Sequence, residues 1–180
     1  MAFLPDDYEL PTTTGNYMKL QPGSNRFRVM GSFSDDPPSA IMGWLAWTSE
    51  RQPVRFRMAD KPAKGSFDEE PKHFWAMGVY NVNLEAFQIL ELAQKSILDE
   101  LTKMINDKDW GDPNKYDVEI FRIGEGKETK YSVNPKPHCE LSAEAKAAVR
   151  PINLNAFFDS EDPFEFELTA EAPAPVQPDF

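Results

Sequence analysis

Residues 40–58, AIMGWLAWTSERQPVRFRM, decide the predicted fold, because two strand-like runs meet there at a short polar turn. In the second run Arg51, Arg55 and Arg57 share one parity, and apolar residues take the other. Side chains alternate between the two faces of a strand. The run therefore predicts a sheet with arginine on one face and a core on the other.

Two tryptophans in the first run lie close to this cationic face. Trp44 and Trp47 are an odd number of positions apart, which places them on opposite faces of a regular strand. We expect one of them in the core unless a bulge intervenes. Indole rings beside guanidinium groups suit single-stranded nucleic acid, because bases stack on the rings while phosphates pair with the cations. An ordinary hairpin with a solvated outer face is the open alternative.

The flanking segments predict further strands. After the Pro22–Gly23 turn, Arg26 and Arg28 share one side of a strand whose other side is apolar. Residues 72–83, KHFWAMGVYNVN, carry apolar side chains on both parities. That pattern predicts either a fully buried central strand or a strand that exposes an aromatic row for binding. A short strand, AFQILELA, follows an asparagine-centred turn.

One amphipathic helix is predicted over residues 94–107, where the apolar residues form a single stripe. A hairpin across GEGKE follows, and a short helix begins after Ser142 as its N-cap. This order predicts a mainly β fold of the α+β class. It is the order of an OB-fold-like antiparallel Greek-key barrel with one main helix before the last hairpin. A mixed α+β sandwich is the alternative.

Charge is unevenly distributed along the 180 residues, whose net charge is −11. Residues 159–180 hold seven acids and no base, whereas residues 19–65 hold eight bases and four acids. We therefore predict a flexible arm over residues 1–15, a binding domain over 16–150 and a disordered acidic tail over 151–180.

The cysteine and histidine content limits the possible chemistry. Cys139 is the single cysteine, which excludes an internal disulfide, and His73 and His138 are too few to complete a zinc site with it. We expect neither a metal nor a cofactor. The chain has no basic leader and no long apolar run, which predicts a cytoplasmic protein without a signal peptide or a membrane span.

A group of acids raises the possibility of a Mg²⁺-dependent nuclease. Its members are Asp107, Asp109, Asp112, Asp117 and Glu119. The first three lie in a segment rich in turn residues, where acids are ordinarily solvated, so we predict a binding protein and not an enzyme. A regulatory module that binds protein through its aromatic surface is another alternative.

Aromatics, glycines and charges form a spread pattern over residues 20–31, 72–101 and 110–137. This pattern resembles that of the OB-fold single-stranded DNA-binding proteins of tailed bacteriophages. The resemblance implies a protein that coats single-stranded DNA without sequence preference during phage replication or recombination. It also implies a monomer, or weak self-association along DNA, in the host cytoplasm. The acidic end, Asp179–Phe180, is similar to tails that recruit replication and recombination enzymes. Some phage proteins of this class hold zinc through Cys and His, and this chain lacks that ligand set.

The residues predicted to contact single-stranded DNA are basic and aromatic side chains of the predicted strands. They are Arg28, Trp44, Trp47, Arg51, Arg55, Arg57, Lys72, Trp75, Tyr80, Arg122, Lys130 and Tyr131. In the tail, acids alternate with phenylalanines, which predicts a peptide that docks in partner enzymes and competes with DNA for the basic face. An inert solubilising tail is the open alternative. The residues predicted to bind partners are Phe164, Phe166, Asp179 and Phe180.

Overall fold

The computed structural model describes residues 15–47, 52–64 and 69–165. Seven strands and two helices occur in them: β1 Gly23–Val29, β2 Ala40–Trp47, β3 Pro53–Arg57, β4 Lys72–Asn81, β5 Ala86–Leu92, α1 Lys95–Asn106, β6 Tyr116–Ile123, β7 Lys130–His138 and α2 Ala143–Ala148. Short 3₁₀ turns lie at Met58–Asp60, Pro113–Lys115, Gly126–Glu128 and Leu154–Asp159. The fold is mainly antiparallel β-sheet with few helices, as the sequence predicted.

Strand β4 is the centre of the sheet. One of its edges pairs with β5, and its other edge pairs first with β2 and then with β1. From β2 the sheet continues to β3, and from β1 it continues to β6 and β7. The predicted hairpin of the opening stretch is therefore confirmed, and it forms one wing of the sheet. The β6–β7 hairpin forms the other wing.

The main core lies between the sheet and α1. The apolar stripe predicted for this helix faces the sheet, since Ile97, Leu98 and Leu101 are buried against β1, β4, β5 and β6. On the strands, Phe27 and Val118 are fully buried in the same cluster. The helix thus covers one face of the sheet, as an amphipathic helix of this length should.

A second core lies on the opposite face of β4 and β5. Phe74 and Ile89 of these strands are fully buried there, and residues from beyond α2 cover them, namely Ile152, Leu154 and Phe157. The predicted domain boundary at residue 150 is therefore wrong. The apolar side chains of residues 151–165 bury themselves on the sheet, so this part of the predicted tail is not a disordered segment.

Two further expectations concern the N-cap of α2 and the two predicted terminal segments. The N-cap of α2 is confirmed, because the Ser142 hydroxyl accepts a hydrogen bond from the Ala145 backbone N–H. The arm predicted over residues 1–15 and the rest of the predicted tail, 166–180, lie outside the described residues apart from Gly15. Among the helices of the described ranges, none is long and apolar enough to cross a membrane.

Candidate nucleic-acid interface

The β2–β3 wing and the start of β4 divide the predicted aromatic and basic residues between the two faces of the sheet. Trp44 pairs with His73 across β2 and β4, whereas Trp47 lies on the opposite face with Arg55, as the odd separation of the tryptophans predicted. We call one surface the tryptophan face, which comprises Phe33, Trp44, Lys61, His73 and Trp75. The other is the arginine face, which comprises Trp47, Arg55, Arg57 and Lys72.

His73 links the two indoles of the tryptophan face. Its Nδ1 lies 2.9 Å from the Gly43 carbonyl oxygen, and its Nε2 lies 3.2 Å from Nε1 of Trp75. An indole N–H only donates, so His73 Nε2 must accept and Nδ1 must carry the proton that bonds to Gly43. This neutral tautomer satisfies both ring nitrogens and fixes the edge of the Trp75 ring.

Trp44 is held in a similar way. Its Nε1 donates to the Met58 carbonyl oxygen at 3.2 Å, and its ring centroid is 5.4 Å from that of His73. The Lys61 ammonium lies 4.5 Å from the Trp44 centroid. Phe33 extends the row beyond Trp75, with their centroids 6.4 Å apart in an edge-on arrangement, and is 52% exposed. The face is a partly exposed row of rings with a cation at one end.

Part of the arginine face is covered by other segments of the chain. Arg55 pairs with Glu91 at 2.8 Å and lies 4.6 Å from the Phe157 ring centroid. Arg57 lies 4.7 Å from the Phe158 centroid. The predicted alternation of arginine and apolar residues is confirmed, but both faces of the wing carry apolar side chains. Arg55 therefore shares its face with the second core, whereas Arg57 and Lys72 of the same face stay exposed.

Arg28 and Tyr80 are corrections to the predicted DNA-contacting set. Arg28 is 2% exposed, and its guanidinium donates to Asp117 and to the backbone carbonyls of Asn114 and Cys139. Tyr80 is directly opposite Arg28 in the sheet and is 8% exposed. Neither group can reach a phosphate or a base, because the fold already encloses both.

Three predicted contacts lie on the other wing. Arg122 and Tyr131 are paired across β6 and β7, and Arg122 donates to the Leu20 carbonyl oxygen at 3.0 Å. Tyr131 packs partly on the main core, whereas Lys130 is exposed. Strand β1 separates this hairpin from β4 in the sheet. The structure thus does not bring these residues together with the tryptophan face.

The predicted partner-binding residues divide at the end of the described chain. Phe164 packs on the domain, with the Arg150 guanidinium 4.2 Å from its centroid and Tyr17 edge-on to it at 6.5 Å. It is therefore part of the folded unit and not of a free tail. Arg51, Phe166, Asp179 and Phe180 lie outside the described residues.

Two of the acids considered for a nuclease are engaged within the fold. Asp117 holds two arginines, and Glu119 accepts from the Ser24 hydroxyl and pairs with Lys136. The Ser24 hydrogen bond is the main reason that the pKa of Glu119 lies below its ordinary value. Within the described ranges, no group of three or more His, Cys, Asp or Glu side chains is arranged to hold a metal ion.

Sequence reasoning missed three members of the tryptophan face. His73 shares the parity of Trp75, so the strand pattern could have placed it beside the indole. Phe33 and Lys61 lie in irregular segments, where no periodicity indicates a direction. Comparison with protein families, curated proteins and solved structures finds no match to this chain. The functional proposal therefore depends on the geometry of the site and on the pattern of the sequence.

Proposed function

We propose that the protein binds single-stranded DNA on the tryptophan face and that bases stack on its rings. The row of partly exposed rings from Trp44 to Phe33 supports this proposal most directly. Partly exposed rings that adjoin one another form apolar surface of the kind that marks binding sites. Every base offers a flat π-face, so stacking on these rings tolerates any sequence.

Cations flank the row and supply sites for the backbone. Lys61 lies over Trp44 at one end. On the other side of His73 a cleft of about 550 Å³ is lined by Lys95, whose ammonium pairs with Asp99 at 2.8 Å. A strand of nucleic acid that stacks on the rings would pass both groups with its phosphates. We expect each cation that contacts a phosphate to add to the salt dependence of binding.

The proposal includes an OB-fold-like arrangement of five strands. In this reading β1, β4, β5, β6 and β7 are the barrel strands, α1 joins the third to the fourth, and the β2–β3 hairpin is an insertion. The pairing of β1 with both β4 and β6, and the position of α1 before the last hairpin, favour it. Among the described residues β5 and β7 do not pair, so the sheet is not closed there.

We further propose the biological setting that the resemblance implies. The protein would coat and protect single-stranded DNA during phage replication or recombination, as a monomer or with weak self-association. Recruitment of partner enzymes is assigned to residues 166–180, because Phe164 packs on the domain. An acidic peptide that contains phenylalanine suits docking in a basic groove of a partner.

Trp44 and Trp47 provide a matched test, because they lie on opposite faces of one strand. We expect Trp44→Ala to weaken binding of oligo(dT), measured by fluorescence anisotropy, by about 1–3 kcal/mol. Trp47→Ala should leave affinity close to that of the wild type once circular dichroism has verified its fold. Equal losses in both variants, or none in either, would contradict the assignment of the face.

The salt dependence separates nucleic-acid binding from protein binding by the same rings. Lys61→Ala should reduce the slope of log K against log salt by about 0.7, the value for one phosphate contact on a single strand. Lys64→Ala, in the same segment but paired with Glu70, is the control. If the wild type shows no salt-dependent binding to oligo(dT), the aromatic face is better assigned to a protein partner.

A further inference from the structure

A second cleft opens at the Phe33 end of the tryptophan face. It has a volume of about 370 Å³ and lies between β4, α1 and the turn at Pro113–Lys115. Most of its wall is apolar, and Trp75, Phe33 and Leu101 contribute to it. Because Trp75 belongs to both surfaces, the stacking row leads directly into the cleft.

Asp112 brings a carboxylate to this cleft, and a carboxylate only accepts hydrogen bonds. Asp112 lines the cleft and uses one lone pair of Oδ1 to accept from the Asn114 backbone N–H at 2.9 Å, which leaves Oδ2 and the second lone pair of Oδ1 as acceptors. The Asn114 side chain also lines it, and its Nδ2 donates to the Val29 carbonyl oxygen at 2.6 Å. In the part of the chain that the structure describes, no lysine or arginine forms an ion pair with Asp112.

We propose that this cleft holds one guanine base of the bound strand. The inference rests on the proposed function, since the strand must already lie on the tryptophan face. A base entering between Phe33 and Leu101 keeps its ring in an apolar slot and turns its edge toward Asp112. Guanine presents N1–H and N2–H side by side, so a carboxylate accepts both in a two-bonded pair. Adenine and cytosine offer only an amino group with an adjacent acceptor, and thymine offers a single N–H.

A carboxylate in an apolar cleft also suits a basic peptide. The cleft shares Trp75 and Phe33 with the stacking row, so a strand that follows the row delivers its next base to the cleft. A peptide would have to approach across the same rings. The shared ring wall therefore favours a nucleobase. The result is a protein that binds any strand by stacking but holds a guanine-containing strand more tightly.

The test uses thymidine oligomers that carry a single central guest base, titrated into the full-length protein by fluorescence anisotropy. The wild type should bind the guanine guest at least about five-fold more tightly than the all-thymidine oligomer, the lower end for a two-bonded base contact. Adenine and cytosine guests should show smaller gains. Asp112→Asn keeps an oxygen for the Asn114 N–H but replaces one acceptor with a donor, so it should abolish the guanine preference.

Asp109→Asn is the matched control, because it removes the same charge from an exposed acid of the neighbouring turn. It should change all oligomers alike and leave the preference intact. Equal affinity for every guest in a wild type that binds thymidine overturns the inference and leaves the proposed function standing. Loss of the preference in both variants also overturns it. If an arginine-containing peptide binds in an Asp112-dependent manner while all guests remain equal, the cleft is a peptide site. Failure of every oligomer to bind overturns both proposals.

Discussion

We expect substitution of Arg28 and of Arg26 to affect the stability of the fold differently, although both guanidiniums pair with the carboxylate of Asp117. Each places Nε 2.8 Å from a different oxygen of Asp117. The Arg28 side chain is 2% exposed, whereas that of Arg26 is 39% exposed. We predict that Arg28→Ala destabilises the fold strongly and that Arg26→Ala does so only slightly. The pair therefore separates a structural arginine from a surface one on the same strand.

The magnitude follows from what each guanidinium contacts. Arg28 also donates to the carbonyls of Asn114 and Cys139 and lies 3.0 Å from the Cys139 sulfur. Removing one partner of a buried ion pair costs about 3–5 kcal/mol, because the remaining groups stay buried without it. In Arg28→Ala the guanidinium of Arg26 still pairs with Asp117, so the expected loss lies at the lower end of this range. An exposed pair contributes about 0–1 kcal/mol, which is the loss expected for Arg26→Ala.

Urea denaturation followed by circular dichroism measures both losses. A domain of this size has a total stability of about 5–15 kcal/mol, so Arg28→Ala should lower the midpoint markedly at an unchanged slope. Arg28→Lys should recover little, because an ammonium cannot reproduce a planar fork of donors. Titration with oligo(dT) under conditions where the variant is folded should give wild-type affinity. If Arg28→Ala were as stable as the wild type and bound DNA more weakly, the buried placement of Arg28 would be refuted.

Two further predictions concern the second core and high pH. Phe157→Ala should destabilise the fold by about 3–5 kcal/mol in thermal or urea unfolding, because this ring is buried on the outer face of β4 and β5. A loss below about 1 kcal/mol would show that residues 151–165 do not belong to the domain. Burial raises the pKa of Tyr116 to about 12 from 10.0, so its stabilising contribution is complete below pH 10 and is lost as the pH rises toward 12. Between pH 9 and pH 11.5, the free energy of unfolding in urea should fall more for the wild type than for Tyr116→Phe. An equal fall in both proteins would contradict the stabilising role of the protonated Tyr116.

Much of the fold could be predicted because its signals are local. The helix over 94–107 follows from one apolar stripe, and the cap at Ser142 follows from one side chain at a helix start. The parity of Arg55 and Arg57 also placed them correctly on one face of β3. Such patterns act within a few residues, so sequence alone contains them.

What covers a face is a non-local property, and there the sequence reasoning failed. The alternation of side chains placed Arg28 and Phe27 on opposite faces of β1. It could not show that Asn114 and Cys139 would enclose Arg28. Composition predicted disorder after residue 150, because acids and phenylalanines alternate. The phenylalanines instead find an apolar partner in Ile89 and its neighbours on the sheet, which no local pattern reveals.

The same coverage explains why the candidate interface lies at one end of β4. Along most of this strand both faces are buried, one against α1 and the other against residues 152–157. At its start, His73 and Trp75 extend toward the β2–β3 hairpin, and their side chains stay partly exposed on the face of Trp44. Their polar nitrogens are nevertheless satisfied within the chain. Rings that are fixed at their edges and open to solvent on part of their surface lose little conformational entropy when a flat partner binds. This preorganisation favours a stacking surface over an unfinished core.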